Sequence, residues 1–231
     1  MTITSTTAKI WYLKQVNLFK WMSKEDMEQM AKMVIEKSFR KKERIYLPGE
    51  PGQSIYLLKK GVVKISKVTL DGRELTLAFL KPGEIFGELE VMGETARDTQ
   101  AEAHSDLLIC VLRRENLMQI MEMKPKLGIQ LSKLIGFRRK VIENRLENLI
   151  FRSISQRLAS LLLELGREFG EPNGNGVKIN LPLTHQDLAN LIGAARQTVT
   201  ETLHTFKSHG LIEMTGKWIT FKNPEGLKNL A

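Results

Sequence analysis

Cysteine is nearly absent from this chain of 231 residues, which holds only Cys110. One thiol cannot form an intrachain disulfide, and it cannot supply the four thiolates of an all-cysteine iron–sulfur cluster. Because Cys110 lies in the apolar run of residues 107–112, we expect it to be a small buried hydrophobic residue. The scarcity of cysteine therefore excludes disulfide scaffolds and thiolate clusters of this kind.

Long apolar runs and catalytic motifs are missing as well. No stretch is long enough to span a bilayer, and the N-terminus lacks the hydrophobic core of a signal peptide, so we expect a cytoplasmic protein with no membrane contact. The sequence shows no nucleophile–base pairing, no metal-ligand spacing and no Walker-type phosphate loop. We therefore predict that the chain is not an enzyme and has no metal site.

Composition and charge indicate a globular protein with a polyanionic partner. Apolar residues make up 42% and charged residues 26% of the chain, as in ordinary globular domains. Its length suits two domains. The net charge of +9 and the pI of about 9.6 favour a nucleic-acid partner, although a basic surface that serves only solubility is the alternative.

Residues 183–206 carry two helical patterns separated by Gly193. Thr184 is a predicted N-cap with Asp187 three residues later, and Gly193 permits the left-handed backbone of a tight turn. The second pattern, at 195–206, has an apolar stripe formed by Val199, Leu203 and Phe206. This layout predicts a helix-turn-helix, whose second helix enters the DNA major groove by its N-terminus; an ordinary helical hairpin is the alternative.

Polar side chains at the start of the second helix suit DNA bases. Arginine matches the two acceptors of guanine and glutamine matches adenine, so Arg196 and Gln197 are candidate base contacts. Glu201 is expected either to accept from cytosine or to pair with a neighbouring arginine. Residues 211–221 predict a strand hairpin whose turn holds Lys217, suited to a phosphate, and 177–181 predict another strand, which makes a winged helix. The predicted DNA-contacting residues are Thr184, His185, Gln186, Ala195, Arg196, Gln197, Thr198, Thr200, Glu201 and Lys217.

Before the winged helix, the pattern changes twice. Residues 1–9 are expected to be frayed, and Ser23 with Asp26 predicts the start of a helix with an apolar stripe reaching Val34. Residues 39–112 alternate turn signals with short strands at 55–58, 62–65 and 75–80, which predicts a small barrel or roll. A long helix follows, with a break allowed at Pro125. Its two apolar faces predict a coiled coil with a second copy of the chain; a single buried helix is the alternative.

The winged-helix motifs resemble the CRP/FNR family of bacterial transcription regulators. The resemblance is carried by residues 183–189, 192–193, 196–200 and 210–212, and residues 49–50, 56–64 and 82–89 resemble the family's cyclic-nucleotide-binding β-roll. It implies an α+β fold with a β-roll and flanking helices at 1–118, a dimerisation helix at 119–150 and a winged helix-turn-helix at 151–231. It also implies a homodimer on palindromic double-stranded DNA, with RNA polymerase as a further partner, and a hinge at 151–155. Ser155 is a candidate cap for the next helix, which is expected to end before a turn-rich loop at 170–176. The single cysteine disfavours the oxygen-sensing branch.

The resemblance gives a mixed answer on the effector of the roll. Phe86-Gly87-Glu88-Leu89 and Arg97 match the family's nucleotide contacts, but Asp98 stands where a hydroxyl residue binds phosphate. Ile142 and Glu143 stand where Thr-Ser reaches adenine, so cyclic AMP is disfavoured. The tentative effector residues are Phe86, Gly87, Glu88, Leu89, Arg97, Asp98, Arg138, Ile142 and Glu143.

Three alternatives stay open for the roll. Residues 155–158 and 167–170 resemble the cyanobacterial nitrogen regulator, in which 2-oxoglutarate is bound by an arginine of the roll and charged groups on the long helix. A small anionic effector, either 2-oxoglutarate-like or a cyclic nucleotide, is one alternative. A roll without a ligand, in which Arg97–Asp98 and Arg138–Glu143 are ordinary ion pairs, is the second. The third is a sensing module that regulates a partner protein instead of DNA.

Overall fold

A computed structural model describes residues 16–93, 95–174 and 176–231. The chain divides into two compact units, the first ending at Arg139 and the second beginning at Lys140. The expected fraying of residues 1–9 lies outside the described residues, and the division at 118 and 150 stays a prediction.

The first unit opens with a short helical segment. After a 3₁₀ turn at Asn17–Phe19, helix α1 spans Lys24–Met33. Its capping box forms as predicted, since the Asp26 amide donates to the Ser23 hydroxyl at 3.1 Å. The expected extension of the helix to Val34 is wrong, because the β-branched pair Val34-Ile35 starts a strand that pairs with Leu112 and Val111.

Eight strands form the predicted roll. Two antiparallel sheets of four strands have the orders β1-β8-β3-β6 and β2-β7-β4-β5. The strands are β1 Val34–Phe39, β2 Arg44–Tyr46, β3 Ser54–Lys60, β4 Val63–Val68, β5 Glu74–Leu80, β6 Ile85–Phe86, β7 Gln100–Ala103 and β8 Leu107–Arg113. The three predicted strands correspond to β3, β4 and β5. A short helix α2, Glu88–Gly93, follows β6 and was not predicted.

One apolar cluster unites residues of both sheets, including Leu58 and Ile109 of the first and Val63 and Ala101 of the second. Another cluster unites β-strand residues with α1. Cys110 is buried in the second cluster, as expected.

Two helices follow the roll, separated by Pro125. Helix α3 spans Arg114–Met123 and the long helix α4 spans Lys126–Phe151. Leu127 and Leu131 of α4 are buried. Many other apolar side chains of α4 are exposed: Ile129, Phe137, Ile142, Leu146, Leu149, Ile150 and Phe151. Among the described residues, no helix combines the length and apolarity needed to cross a membrane.

The second unit is a winged helix. Its elements are helix α5 Ile154–Phe169, strands β9 Gly170–Asn173 and β10 Gly176–Ile179, helices α6 His185–Ile192 and α7 Arg196–Ser208, strands β11 Ile212–Thr215 and β12 Trp218–Phe221, and helix α8 Pro224–Leu230. The four strands form one antiparallel sheet, ordered β11-β12-β10-β9. Its interior is apolar, with Leu158, Leu162, Leu188, Val199, Leu203, Phe206, Ile219 and Phe221 buried.

Two predictions in this unit need correction. Ser153, not Ser155, caps α5, because Gln156 three residues later completes a capping box. The expected loop at 170–176 contains paired strands instead, since Gly170–Asn173 forms a ladder with Gly176–Ile179. The helix α8 was not predicted.

Candidate DNA interface and anion site

The turn between α6 and α7 is built by a cap and a glycine. The Thr184 amide and hydroxyl both donate to one oxygen of Asp187, at 2.8 and 2.6 Å, and so hold the first turn of α6. Gly193 ends α6 with φ +61° and ψ +47°, a conformation that costs other residues free energy. An added Cβ there would also lie 3.2 Å from the side chain of Leu149. The predicted helix-turn-helix is therefore present.

The first turns of α7 expose the predicted base-contacting residues. Arg196, Gln197 and Glu201 are all exposed. The Gln197 amide nitrogen donates to a Glu201 carboxylate oxygen at 3.1 Å. The observed partner of Glu201 is therefore Gln197, one helical turn away, and its pairing with a cytosine or an arginine stays a prediction.

His185 connects the two helices. Its Nδ1 lies 2.8 Å from the Thr200 hydroxyl, which itself donates to the Arg196 carbonyl at 2.9 Å. Because that hydroxyl proton is in use, Nδ1–H is the donor to Thr200. Burial lowers the pKa of His185, and the positive charges of Arg196 and His204 lower it further.

The remaining predicted DNA residues lie around this helix pair. Gln186 is exposed on α6 and its amide donates to Asn190 at 2.7 Å. Ala195 is the extended N-cap residue of α7, and the half-buried Thr198 accepts a bond from Thr202 through its carbonyl. Lys217 is exposed at the wing turn.

The wing is joined to the helix pair by its backbone. The Leu183 amide, just before α6, donates to the Lys217 carbonyl at 3.0 Å. Lys178 lies with its ammonium 4.4 Å from the ring centre of Trp218. The wing thus presents Lys217 from a defined position beside the start of α6.

The predicted anion-binding arginine of the roll is buried. Arg97 is 3% exposed, and its Nη1 donates to the Gly87 carbonyl at 2.7 Å and to Glu90 at 2.8 Å. Its Nη2 donates to the Ser54 carbonyl. The rings of Tyr46 and Tyr56 lie 4.5 and 5.6 Å from the guanidinium carbon.

A second arginine–carboxylate pair lies in the same unit. Glu88 is fully buried and accepts from Arg138, which also donates to the Ile85 carbonyl. The other Glu88 oxygen has no hydrogen-bond partner in the described part of the chain. Phe86 is buried beside this pair in sequence, whereas Leu89 is exposed.

One of the two ion pairs expected for a roll without ligand, Arg97–Asp98, is replaced by other pairs. Asp98 is exposed and pairs with Lys67 at 2.9 Å, while Arg97 pairs with Glu90 and Arg138 with Glu88. The expected Arg97–Asp98 pair is therefore wrong.

The last two candidate effector residues belong to the second unit. Ile142 and Glu143 are exposed on the part of α4 that belongs to the second unit. The first unit thus brings together Gly87, Glu88, Arg97 and Arg138 as charged or close neighbours.

Gly87 is required by the packing of Arg97. Its φ is +76°, and a Cβ there would lie 2.8 Å from Arg97 Nη1. Sequence reasoning found Gly87 and Arg97 but missed Glu90 and the two tyrosines. A carboxylate two residues after Glu88, in a segment matched to anion binding, was the available signal.

The surrounding tyrosines stay neutral. Burial raises the pKa of Tyr46 to about 12, and burial also raises the pKa of Tyr56. Across the part of the chain that the structure describes, no group of three or more His, Cys, Asp or Glu side chains is arranged to hold a metal ion.

Comparison with known proteins matches both units. A model of the cyclic nucleotide-binding domain matches residues 36–124, and one of the Crp-like helix-turn-helix domain matches residues 156–230. The global nitrogen regulator of Synechocystis sp. is 33% identical over 195 residues, which is 84% of this chain and 87% of that protein. The CRP-like cAMP-activated global transcriptional regulator of Mycobacterium tuberculosis is 28% identical over 219 residues, 95% of this chain and 98% of that one. The structure of FixK2 from Bradyrhizobium japonicum aligns with a TM-score of 0.77 and 26% identity, covering 85% of this chain and 96% of that one.

Proposed function

Because the chain belongs to the CRP/FNR family of transcription regulators, we propose that it binds a palindromic promoter site as a homodimer through α7. The carrying observation is the exposed row of Arg196, Gln197 and Glu201 at the start of a helix held by a capped turn. In a helix-turn-helix, this end of the second helix meets the base edges. The two copies would meet successive major grooves, about one helical turn apart.

Each predicted contact has a physical role in this proposal. Arg196 reads guanine, and Gln197 reads adenine. Lys217 binds a phosphate and fixes the register of the wing without reading sequence. The helix pair would approach the DNA backbone with its remaining predicted contacts, which are Thr184, His185, Gln186, Ala195, Thr198 and Thr200. In this proposal the protein binds its promoter DNA in a bacterial cytoplasm. RNA polymerase is the partner through which this DNA binding changes transcription.

The dimer would be made by α4. Its exposed residues Ile142, Leu146 and Leu149 follow the alternating four- and three-residue spacing of a coiled-coil seam. A second copy of α4 is the partner whose strip repeats that spacing.

The roll, in this proposal, does not bind cyclic AMP, although the M. tuberculosis relative is described as cAMP-activated. The chemistry at three positions supports this. Asp98 is an acceptor-only anion that repels a phosphate and already pairs with Lys67. Ile142 and Glu143 lack the hydroxyl donors that the family uses for adenine.

The test is quantitative DNA binding by Arg196→Ala. The variant should lose about 1–3 kcal/mol of affinity for a selected operator and lose discrimination at one base pair. Fluorescence anisotropy on the operator and on random DNA at two salt concentrations measures both effects. Arg167→Ala, which removes an exposed arginine near the end of α5, is the matched control and should keep wild-type discrimination.

Two results would count against the proposal. Equal weakening of Arg196→Ala on operator and random DNA would show that Arg196 contacts only phosphate. No sequence-specific binding by the wild type at either salt concentration would favour a module that regulates a partner protein instead.

A further inference from the structure

The buried guanidinium of Arg97 already holds a carboxylate. Three of the five N–H donors of an arginine side chain are committed here, to Glu90, Gly87 and Ser54. The aromatic rings of Tyr46 and Tyr56 lie against the guanidinium group. An anion from solvent would have to displace the Glu90 carboxylate or the Gly87 carbonyl to reach Nη1, whereas the buried Nε has no hydrogen-bond partner among the described residues.

Glu90 is placed by the backbone around it. It lies on α2, next to the fully buried Val91. The Thr95 amide donates to the Glu90 carbonyl at 3.1 Å and closes the turn after the helix. The adjoining Val91 carbonyl accepts from Arg114 Nε at 3.4 Å. The Glu90 carboxylate thus reaches Arg97 from a segment whose backbone is hydrogen-bonded at both Glu90 and Val91.

The charges of the site cancel without a ligand. Glu90 pairs with Arg97, and Glu88 pairs with Arg138. Two carboxylates and two guanidinium groups leave no net positive charge to attract an anion. Desolvating a further carboxylate or phosphate in such a site is costly unless a new partner compensates it.

We propose that Glu90 is a built-in anion of the roll, which occupies Arg97 in place of a small anionic effector. The inference rests on the proposed function and names its regulation: the chain binds its operator without an added effector. It applies equally to a cyclic nucleotide and to a dicarboxylate, because both carry an anionic group that would compete with Glu90 for the Arg97 guanidinium. Output is then set by the amount of protein.

The first experiment asks whether the full-length wild type takes an anion. Thermal unfolding is followed with cyclic AMP, with 2-oxoglutarate and with sodium chloride at equal ionic strength, each up to about 1 mM, where a ligand with micromolar Kd shifts unfolding measurably. No shift beyond the salt control is expected. A saturable rise in Tm with either compound would overturn the proposal.

The second experiment removes the internal carboxylate. Glu90→Ala leaves a buried guanidinium without its partner, so Tm should fall by roughly 6–20 °C. Acetate has the same atoms as the deleted part of the side chain, so it should restore several degrees to this variant and none to the wild type. Loss of stability without rescue by acetate, beyond that of chloride, would overturn the proposal.

A second variant guards against failure to fold. Glu90→Gln keeps the size and an acceptor oxygen but removes the charge, so it should also lower Tm. Glu28→Gln, which loses only the exposed pair with Lys24 at 3.9 Å, is the matched control and should stay near the wild type. Equal Tm values for the two variants would contradict a structural charge at Glu90.

DNA binding separates this inference from the proposed function. Wild-type protein without any added anion should bind the selected operator with full affinity. Binding that appears only with one of the two compounds would refute the built-in anion and keep the DNA-binding proposal. Absence of specific binding in every condition would refute the DNA-binding proposal, while the thermal data would still decide the role of Glu90.

Discussion

At the residue scale, the pair of Gln197 and Glu201 determines what α7 can read. One N–H of the Gln197 amide is given to Glu201. The other N–H and the amide oxygen stay available, and together they match the acceptor N7 and the donor N6 of adenine. We therefore expect Glu201 to orient Gln197 on the DNA instead of accepting from a cytosine.

This assignment predicts the outcome of Glu201→Ala. The freed Gln197 amide should lose about 0.5–1.5 kcal/mol of preference for A·T at one operator position. Affinities for operators substituted at each base pair measure it, with Glu225→Ala on the exposed face of α8 as control. A double variant should lose little more than Gln197→Ala alone, because Glu201 would act only through Gln197. Loss of a C·G preference at a neighbouring position would instead assign direct readout to Glu201.

At the scale of elements, the contact between α6 and α7 is sensitive to protons. Burial lowers the pKa of His185 first, and the charges of Arg196 and His204 lower it further. The unfolded chain, with an ordinary pKa of about 6.5, therefore binds a proton at higher pH than the folded chain. The contribution of His185 to the free energy of unfolding is fully present above about pH 6.5. It is lost as the pH falls from there toward the lowered pKa.

The expected result is a steeper loss of stability in acid for the wild type than for His185→Gln. Protonation leaves the Nδ1–H bond to Thr200 in place but adds a positive charge near Arg196. The free energy of unfolding of the second unit, taken from its urea-unfolding transition at pH 7.5 and 5.5, measures the difference. His209→Gln, at the exposed end of α7, is the control and should follow the wild type. Parallel pH profiles for all three proteins would show that His185 does not carry the effect.

Elements with a local cause were predictable, and contacts between distant segments were not. The cap at Thr184 and the stop at Gly193 depend on residues within a few positions, so the helix-turn-helix followed from the sequence. The cap of α5 was misplaced because two serines compete, and only Ser153 has an acceptor-bearing residue three positions later. The partner of Arg97 was missed because pairing with Glu90 depends on how α2 packs beneath the strands of the roll.

The candidate site divides along the same line. The predicted base-contacting residues lie on one exposed helix face, which the periodicity of α7 predicts. The charge pairs of the roll join residues far apart in sequence, such as Glu88 and Arg138. Chemistry alone left several partners open for each arginine, and only the packed structure selects among them.

At the scale of the whole molecule, the proposed homodimer would gain specificity by joining two weak contacts. One recognition helix reads only a few base pairs, whereas two helices on one rigid dimer read both halves of a palindrome. The exposed apolar strip of α4 at Ile142, Leu146 and Leu149 is therefore expected to determine operator affinity without touching DNA.

Leu146→Glu tests this directly. It would place two glutamates against each other in the dimer seam, where an uncompensated buried charge costs about 3–5 kcal/mol. The dissociation constant of the dimer should therefore rise by roughly 100-fold or more. Light scattering during size-exclusion chromatography gives the mass, and circular dichroism checks that the helices remain. Asn144→Glu, on the opposite side of the same exposed helix turn, should stay dimeric.

DNA binding gives a second readout for the Leu146→Glu variant. A folded Leu146→Glu monomer should bind a full palindrome no better than a single half-site, because each copy then binds independently. Wild type should lose most of its affinity when one half-site is scrambled. A Leu146→Glu protein that stays dimeric and keeps wild-type preference for the palindrome would place the dimer contact elsewhere, and the apolar strip of α4 would then need another partner.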